Sequence, residues 1–332
     1  MKASEIVFKR GIMHVLGSDT QTLILSDTEI NLTPEINDFL CAHIEKVTES
    51  DDCRRNCIFD EASKMLPVIS GACDDNFIDV SKQVAQRLYE IMEISEIPAA
   101  DIFVLVFTCR EKDYFAMLKM NYRSSFTHSA QDEGVRLIQQ RTLLPGAGTK
   151  LGEAFFVDLS DGSITLCDRA YEINGRKTNY LASLLLECHA PLSQKAKLDI
   201  VSRAADSIAK KHYGTEDPTR KMEVKKAILT ELEKPEGMKV RDIPQRIFPN
   251  SPSMQEELTE KLKETRMEEE VIEPNSPVTV RKFKTQRLVT DSGIEIRIPI
   301  EEAENSDHIE IVTNPDGSRN LIIKNIAALT AK

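Results

Sequence analysis

Residues 102–107, Ile-Phe-Val-Leu-Val-Phe, are apolar without interruption. A strand open to water on one face alternates apolar and polar residues, so a continuous run of this length predicts a strand covered on both sides. The polar turn Arg110–Asp113 follows, and then Tyr114–Tyr122, whose second half alternates. Residues 154–159 and 164–167 form a further apolar pair joined through Ser160-Asp161-Gly162-Ser163, a hairpin signal. Strands joined by short turns, with helices packed on them, predict an antiparallel α+β layer structure.

The flanking helices are legible from their spacing. Thr33-Pro34 is a cap followed by a proline at the first helical position. The apolar stripe Ile36, Phe39, Leu40, Ile44 and Val47 continues from it. A second helix is expected from Asp79 to Met92, with Val80, Val84, Leu88 and Ile91 inward. Residues 4–9 and 20–25 read as a short hairpin ahead of these helices.

After Ser193 the texture changes. Leu198, Val201, Ala205 and Ile208 mark one helix, and Asp217-Pro218 opens another. A charge-rich helix is expected at 253–269, ending in "MEEEVIEPNSP", which reads as a linker. The C-terminal stretch is β in character. Ile294, Ile296, Ile298 and Ile300 alternate, and Asn314-Pro315-Asp316-Gly317 supplies turn chemistry between two further strands. The expected organisation is an α+β domain at 1–192, a helical segment at 193–272 and a β-rich segment at 273–332. The last two segments also fit a single domain.

Composition narrows the function. No stretch approaches the roughly 20 apolar residues of a membrane span, and the N-terminus has no apolar signal core. A cytoplasmic location is therefore expected. The formal net charge of −11 opposes broad attraction to nucleic acid, so DNA binding would have to be carried by a local patch. Seven cysteines at irregular spacing argue against a disulfide framework. Cys53-x-x-x-Cys57 has no second pair at zinc-site spacing, which leaves no metal or cofactor expected.

The search for catalysis is nearly empty. The six histidines fall singly, with no His-Glu-x-x-His or Gly-x-Ser-x-Gly. The glycine-rich "LPGAGTKLG" (144–152) is misspaced for a phosphate loop. No enzyme is expected.

Basic clusters remain. Residues 195–226 hold nine Lys/Arg against five Asp/Glu, and the acids share the polar helical face, as on an ordinary solvated surface. In 170–188, Leu181, Leu184, Leu185 and Cys188 recur at helical spacing, and Asn174 reads as the cap. That places Arg176 and Lys177 in the first turn, where the helix dipole disfavours cations. A bound phosphate there would offset the cost; pairing with Asp168 or Glu172 is the alternative. "RKFKTQR" (281–287) carries Arg281, Lys282, Lys284 and Arg287 around Phe283 without an acid. Read as a strand, it suits a phosphate backbone with one aromatic contact, or equally a charge-protected edge.

The ordered blocks as a whole carry a resemblance. The buried strand pair, Gly175-Arg176-Lys177 and the C-terminal "TVRKFK…SGIEIRIPI…IEIV…NLIIK" resemble the bacterial nucleoid-associated protein family of the NdpA type, over nearly the whole chain. The resemblance implies a nucleoid-localised, DNA-associated protein linked to type II topoisomerases, with no catalytic motif. An acidic interaction adaptor, recruited to the nucleoid by a partner and docking through the helix at 253–269, is the competing expectation.

Overall fold

The uninterrupted apolar run becomes the strand Ala100–Cys109, and its two faces enter two different cores. Ile102 and Val104 pack on one side of the sheet; Phe103, Leu105 and Phe107 pack on the other. The computed structural model describes all residues except 18–21, 73–74, 132–133, 215–217, 303–306 and 329–332. The chain divides into two compact units, Met1–Ser193 and Gln194–Lys332.

The first unit is built on an eight-stranded sheet. In chain order its strands are β1 (Ile6–Gly17), β2 (Thr22–Ile24), β3 (Arg54–Phe59), β4 (Ala100–Cys109) and β5 (Lys112–Asn121). An isolated ribbon follows, β6 (Arg123–Gln131) and β7 (Gly134–Leu143), and then β8 (Ala154–Asp158) and β9 (Ile164–Cys167). A second small hairpin, β10 (Ala170–Ile173) and β11 (Arg176–Asn179), precedes the short β12 (Cys188–His189). The main sheet runs β12-β3-β9-β8-β5-β4-β1-β2, antiparallel throughout. Helix α1 (Pro34–Thr48) covers one face. Helices α2 (Met65–Ser70) and α3 (Phe77–Glu93), with a single π-helical turn at Leu181–Leu185, cover the other. The fold is α+β, as its turn chemistry and double-faced central strand require.

Local signals hold where the chain pairs with near neighbours. Thr33 caps α1, its hydroxyl oxygen accepting the Ile36 N–H at 3.5 Å. The expected N-terminal hairpin is different in the structure. β1 pairs along almost its whole length with β4 and meets β2 only at residues 15–17. A long-range apolar partner outcompetes the nearby strand; Thr20 and Gln21 of that hairpin lie outside the described residues.

The second unit has its own core. Helices α4 (Gln194–Tyr213), α5 (Pro218–Leu232), α6 (Ile243–Ile247), α7 (Pro252–Glu264) and α8 (Pro277–Lys284) contribute Leu198, Val201, Ile228, Leu258 and Phe283 among others. The stretch that reads as a linker is not one. Met267 and Ile272 are buried, and β13 (Met238–Lys239) pairs with β14 (Val271–Ile272). Two hairpins complete the unit: β15 (Thr285–Val289) with β16 (Glu295–Pro299), and β17 (Ile309–Thr313) with β18 (Arg319–Ile323). Of the alternating isoleucines, Ile298 and Ile300 are buried whereas Ile294 stays exposed.

Candidate nucleic-acid interface

Arg176 and Lys177 do not stand at a helix start. Asn174 and Gly175 both have positive φ, at 53° and 73°, the pairing that a two-residue hairpin turn requires. The chain therefore reverses there, and Arg176 and Lys177 begin β11, with Lys177 directly opposite Glu172 and Arg176 opposite Ile173. Both cations are exposed. The helical turn starts later, at Leu181, and its first donors are already taken. Asp168 accepts the Leu181 N–H at 3.4 Å and the Ala182 N–H at 3.0 Å through its two oxygens. Burial pushes the Asp168 carboxyl up to about 6, against the pull of these two N–H groups. The negative partner of that turn is thus an aspartate of the chain, and the expected placement of Arg176 and Lys177 at a helix start is overturned.

Beneath the hairpin lies a polar cluster that the sequence reading missed. The Lys119 ammonium and Glu153 carboxylate, both almost wholly buried, lie 3.3 Å apart. Asn121, Tyr171 and Tyr180 also donate to Glu153, at 2.8, 3.3 and 2.7 Å. Burial lowers the Lys119 pKa, and Glu153 partly restores it. The one available signal was a lysine in the middle of an apolar strand. These bonds tie β10 and the start of the helical turn to the main sheet, so they fix the direction in which Arg176 and Lys177 project.

"RKFKTQR" is likewise not a strand throughout. Ser276 caps α8 by accepting the Val278 N–H at 3.3 Å, and Pro277 occupies its first turn. Thr279 and Phe283 face the core, so the aromatic ring is unavailable for stacking on a base. Arg281, Lys282 and Lys284 fall in the last turn, where the helix dipole favours cations. The chain turns extended only at Thr285, which places Arg287 on β15. Lys284 pairs with Glu233 at 3.1 Å and Arg287 with Glu295 at 2.6 Å. Arg281 and Lys282 are exposed and have no carboxylate within ion-pairing distance among the described residues. Lys225 of α5 donates to the Thr285 carbonyl at 3.2 Å and adds a cation beside the cluster. Burial lowers its pKa and raises that of Asp206, the carboxylate that faces it. The two sequence-derived clusters belong to different units.

The glycine-rich loop borders a cavity of about 370 Å3 whose lining includes Asp52, Arg54, Lys150, Cys167, Asp168 and Arg169. Lys150 is paired with Asp52. Gly152 is required for Arg169 to lie where it does, since a Cβ there would stand 2.1 Å from the guanidinium Nε. Among the described residues, no group of three or more His, Cys, Asp or Glu side chains could hold a metal ion. No helix among them is long and apolar enough to cross a membrane.

A family model described as nucleoid-associated protein YejK matches residues 12–329. The chain belongs to this family. No curated protein matches it. The match spans both units, and membership ties the chain to the nucleoid.

Proposed function

We propose that this protein binds the DNA backbone through local basic patches, without strong sequence preference, as a nucleoid-associated protein of the cytoplasm. One observation carries the reading. Val278 to Thr290 holds four cations and no carboxylate, in a chain whose net charge is −11. Within it, Arg281 and Lys282 project from the exposed side of α8 while Phe283 anchors the helix to the core. Arg176 and Lys177 are the corresponding exposed pair on the first unit. Such contacts read phosphates and leave base edges unread.

A fluorescence-anisotropy titration of duplex DNA across a salt series tests this. Affinity should fall with a log–log slope near −0.9 for each phosphate neutralised. Arg281→Ala with Lys282→Ala should weaken binding alike on unrelated sequences and reduce the slope by about two, one for each contact. Absence of binding even at about 50 mM salt would overturn direct DNA contact.

A second reading, an adaptor that reaches the nucleoid through a protein such as a type II topoisomerase, has its own support. The β6–β7 ribbon pairs with no other strand among the described residues. Its register places Phe126, His128, Ala130, Val135 and Leu137 on one face. Phe126, Val135 and Leu137 are 63%, 72% and 73% exposed, an apolar ribbon face of the kind that marks a protein contact. The acidic α7 offers less, since its apolar stripe Met254, Leu258 and Leu262 is spent on the core. Purified topoisomerase retained by the wild-type chain after nuclease treatment, and lost with Leu137→Asp, would favour the adaptor. Retention that disappears with nuclease would favour DNA tethering.

A further inference from the structure

Cys53 and Cys167 face one another across two neighbouring strands. β3 and β9 pair antiparallel with Arg54 opposite Leu166, and one step outward on each strand sets Cys53 against Cys167. Both side chains enter the core beneath α1, whereas Leu166 enters the opposite one. Opposed residues of an antiparallel pair have Cα atoms about 4.5–5.5 Å apart. A disulfide spans about 4.4–6.8 Å. The Cys53 thiol donates to the Val47 carbonyl at 3.0 Å and the Cys167 thiol to the Leu151 carbonyl at 3.7 Å. Both are free thiols in this structure. Cys167, 2% exposed, forms part of the wall of the cavity that Lys150 also lines. Cys53, 1% exposed, does not line that cavity.

We propose that Cys53 and Cys167 are an oxidisable dithiol, in which Cys167 reacts with a hydroperoxide entering from the cavity and Cys53 closes the disulfide. The Cys167 thiolate attacks the peroxide oxygen. An S–O bond forms, the O–O bond breaks, and the departing oxygen takes up a proton to leave as water or an alcohol. Cys167 is now a sulfenic acid, two electrons more oxidised. The Cys53 sulfur then attacks the Cys167 sulfur. The S–S bond forms, the S–O bond breaks, and the hydroxyl leaves as water with the Cys53 proton. In sum, two thiols and one hydroperoxide give a disulfide, water and a second water or alcohol.

The order of attack follows from the surroundings. Cys167 lies on the cavity wall with Lys150, whose ammonium favours its thiolate, while Cys53 is off the cavity and its S–H donates to the Val47 carbonyl at 3.0 Å. Its neighbour Cys167, and then burial, push the Cys53 thiol up. A thiolate is the reacting species, so Cys167 attacks and Cys53 resolves. Burial pushes Cys57 up to about 11 and Cys188 up to about 12, which leaves them poor competitors. The new bond would lock β3 to β9 at the rim of the cavity.

The test is peptide mapping without reductant after the full reduced chain, folded, is treated with hydrogen peroxide. The expected product is a Cys53–Cys167 linked peptide, an intact mass lower by two hydrogens, and full reversal by dithiothreitol. Cys53→Ser should stop the reaction at a Cys167 sulfenic acid that dimedone traps, and Cys167→Ser should give neither product. Oxidation of other cysteines with Cys53 and Cys167 still unlinked would overturn the proposal, as would a disulfide to any other partner. The wild-type map decides alone should either variant fail to fold.

Discussion

A lysine sealed inside a sheet needs its counter-charge beside it, and Lys119 has Glu153. Lys119→Met would leave that carboxylate without its cation and should destabilise the protein by about 3–5 kcal/mol. The donors Asn121, Tyr171 and Tyr180 favour the lower end of that range. Adding Glu153→Gln should recover most of the loss, and urea denaturation of both variants measures it. Asp168 gives a pH signature. Its folded pKa of about 6 stands above the ordinary carboxylate value near 3.9, so over that interval the folded state binds more protons than the unfolded chain. Stability from this group is complete below about pH 4 and is lost as pH rises through 6. Asp168→Asn should remove that slope, which melting temperatures between pH 4 and 7 would reveal; an unchanged slope would assign it to another group.

At the scale of elements, two signals competed within residues 170–188. Only the first half of the helical stripe is helical: Leu181 and Leu185 are buried in the turn, whereas Cys188 is buried on β12 beyond it. The stripe is served by one π-helical turn, because Asn174-Gly175 reverses the chain before it and Glu187, with φ of 50°, ends it. Asn-Gly is a strong hairpin turn, and reading Asn174 as a cap overlooked that chemistry. A Cβ at Gly175 would meet nothing within 4 Å, so a substitution there acts through the backbone alone. Gly175→Val, which places a β-branched residue at positive φ, should destabilise by about 1–2 kcal/mol. Thermal melts should show this loss without a change in the far-ultraviolet spectrum. In "RKFKTQR" the competing signal was Ser276-Pro277, a cap with proline at the first position, which makes the segment helical up to Lys284.

For the whole molecule, the proposed DNA contact of a nucleoid-associated chain with a net charge of −11 has to be local. The salt slope counts phosphates met by cations at the patch, so Arg281 and Lys282 should weigh more in it than the total charge does. The sequence alone determined what depends on local pattern. A double-faced apolar strand requires two covering layers, short turns make the sheet antiparallel, and Thr33-Pro34 begins a helix wherever the rest of the chain goes. Spacing and composition also excluded the familiar catalytic motifs, and the order of blocks pointed to the family. The tertiary structure decided what depends on distant partners. It paired β1 with β4, docked the acidic segment at 267–272 on a core, placed Asp168 at a helix start, and set Cys53 opposite Cys167. The reason is physical. Turn and cap preferences are set by a few neighbouring residues, whereas strand register and buried ion pairs are set by groups tens to more than a hundred positions apart, which no local pattern records.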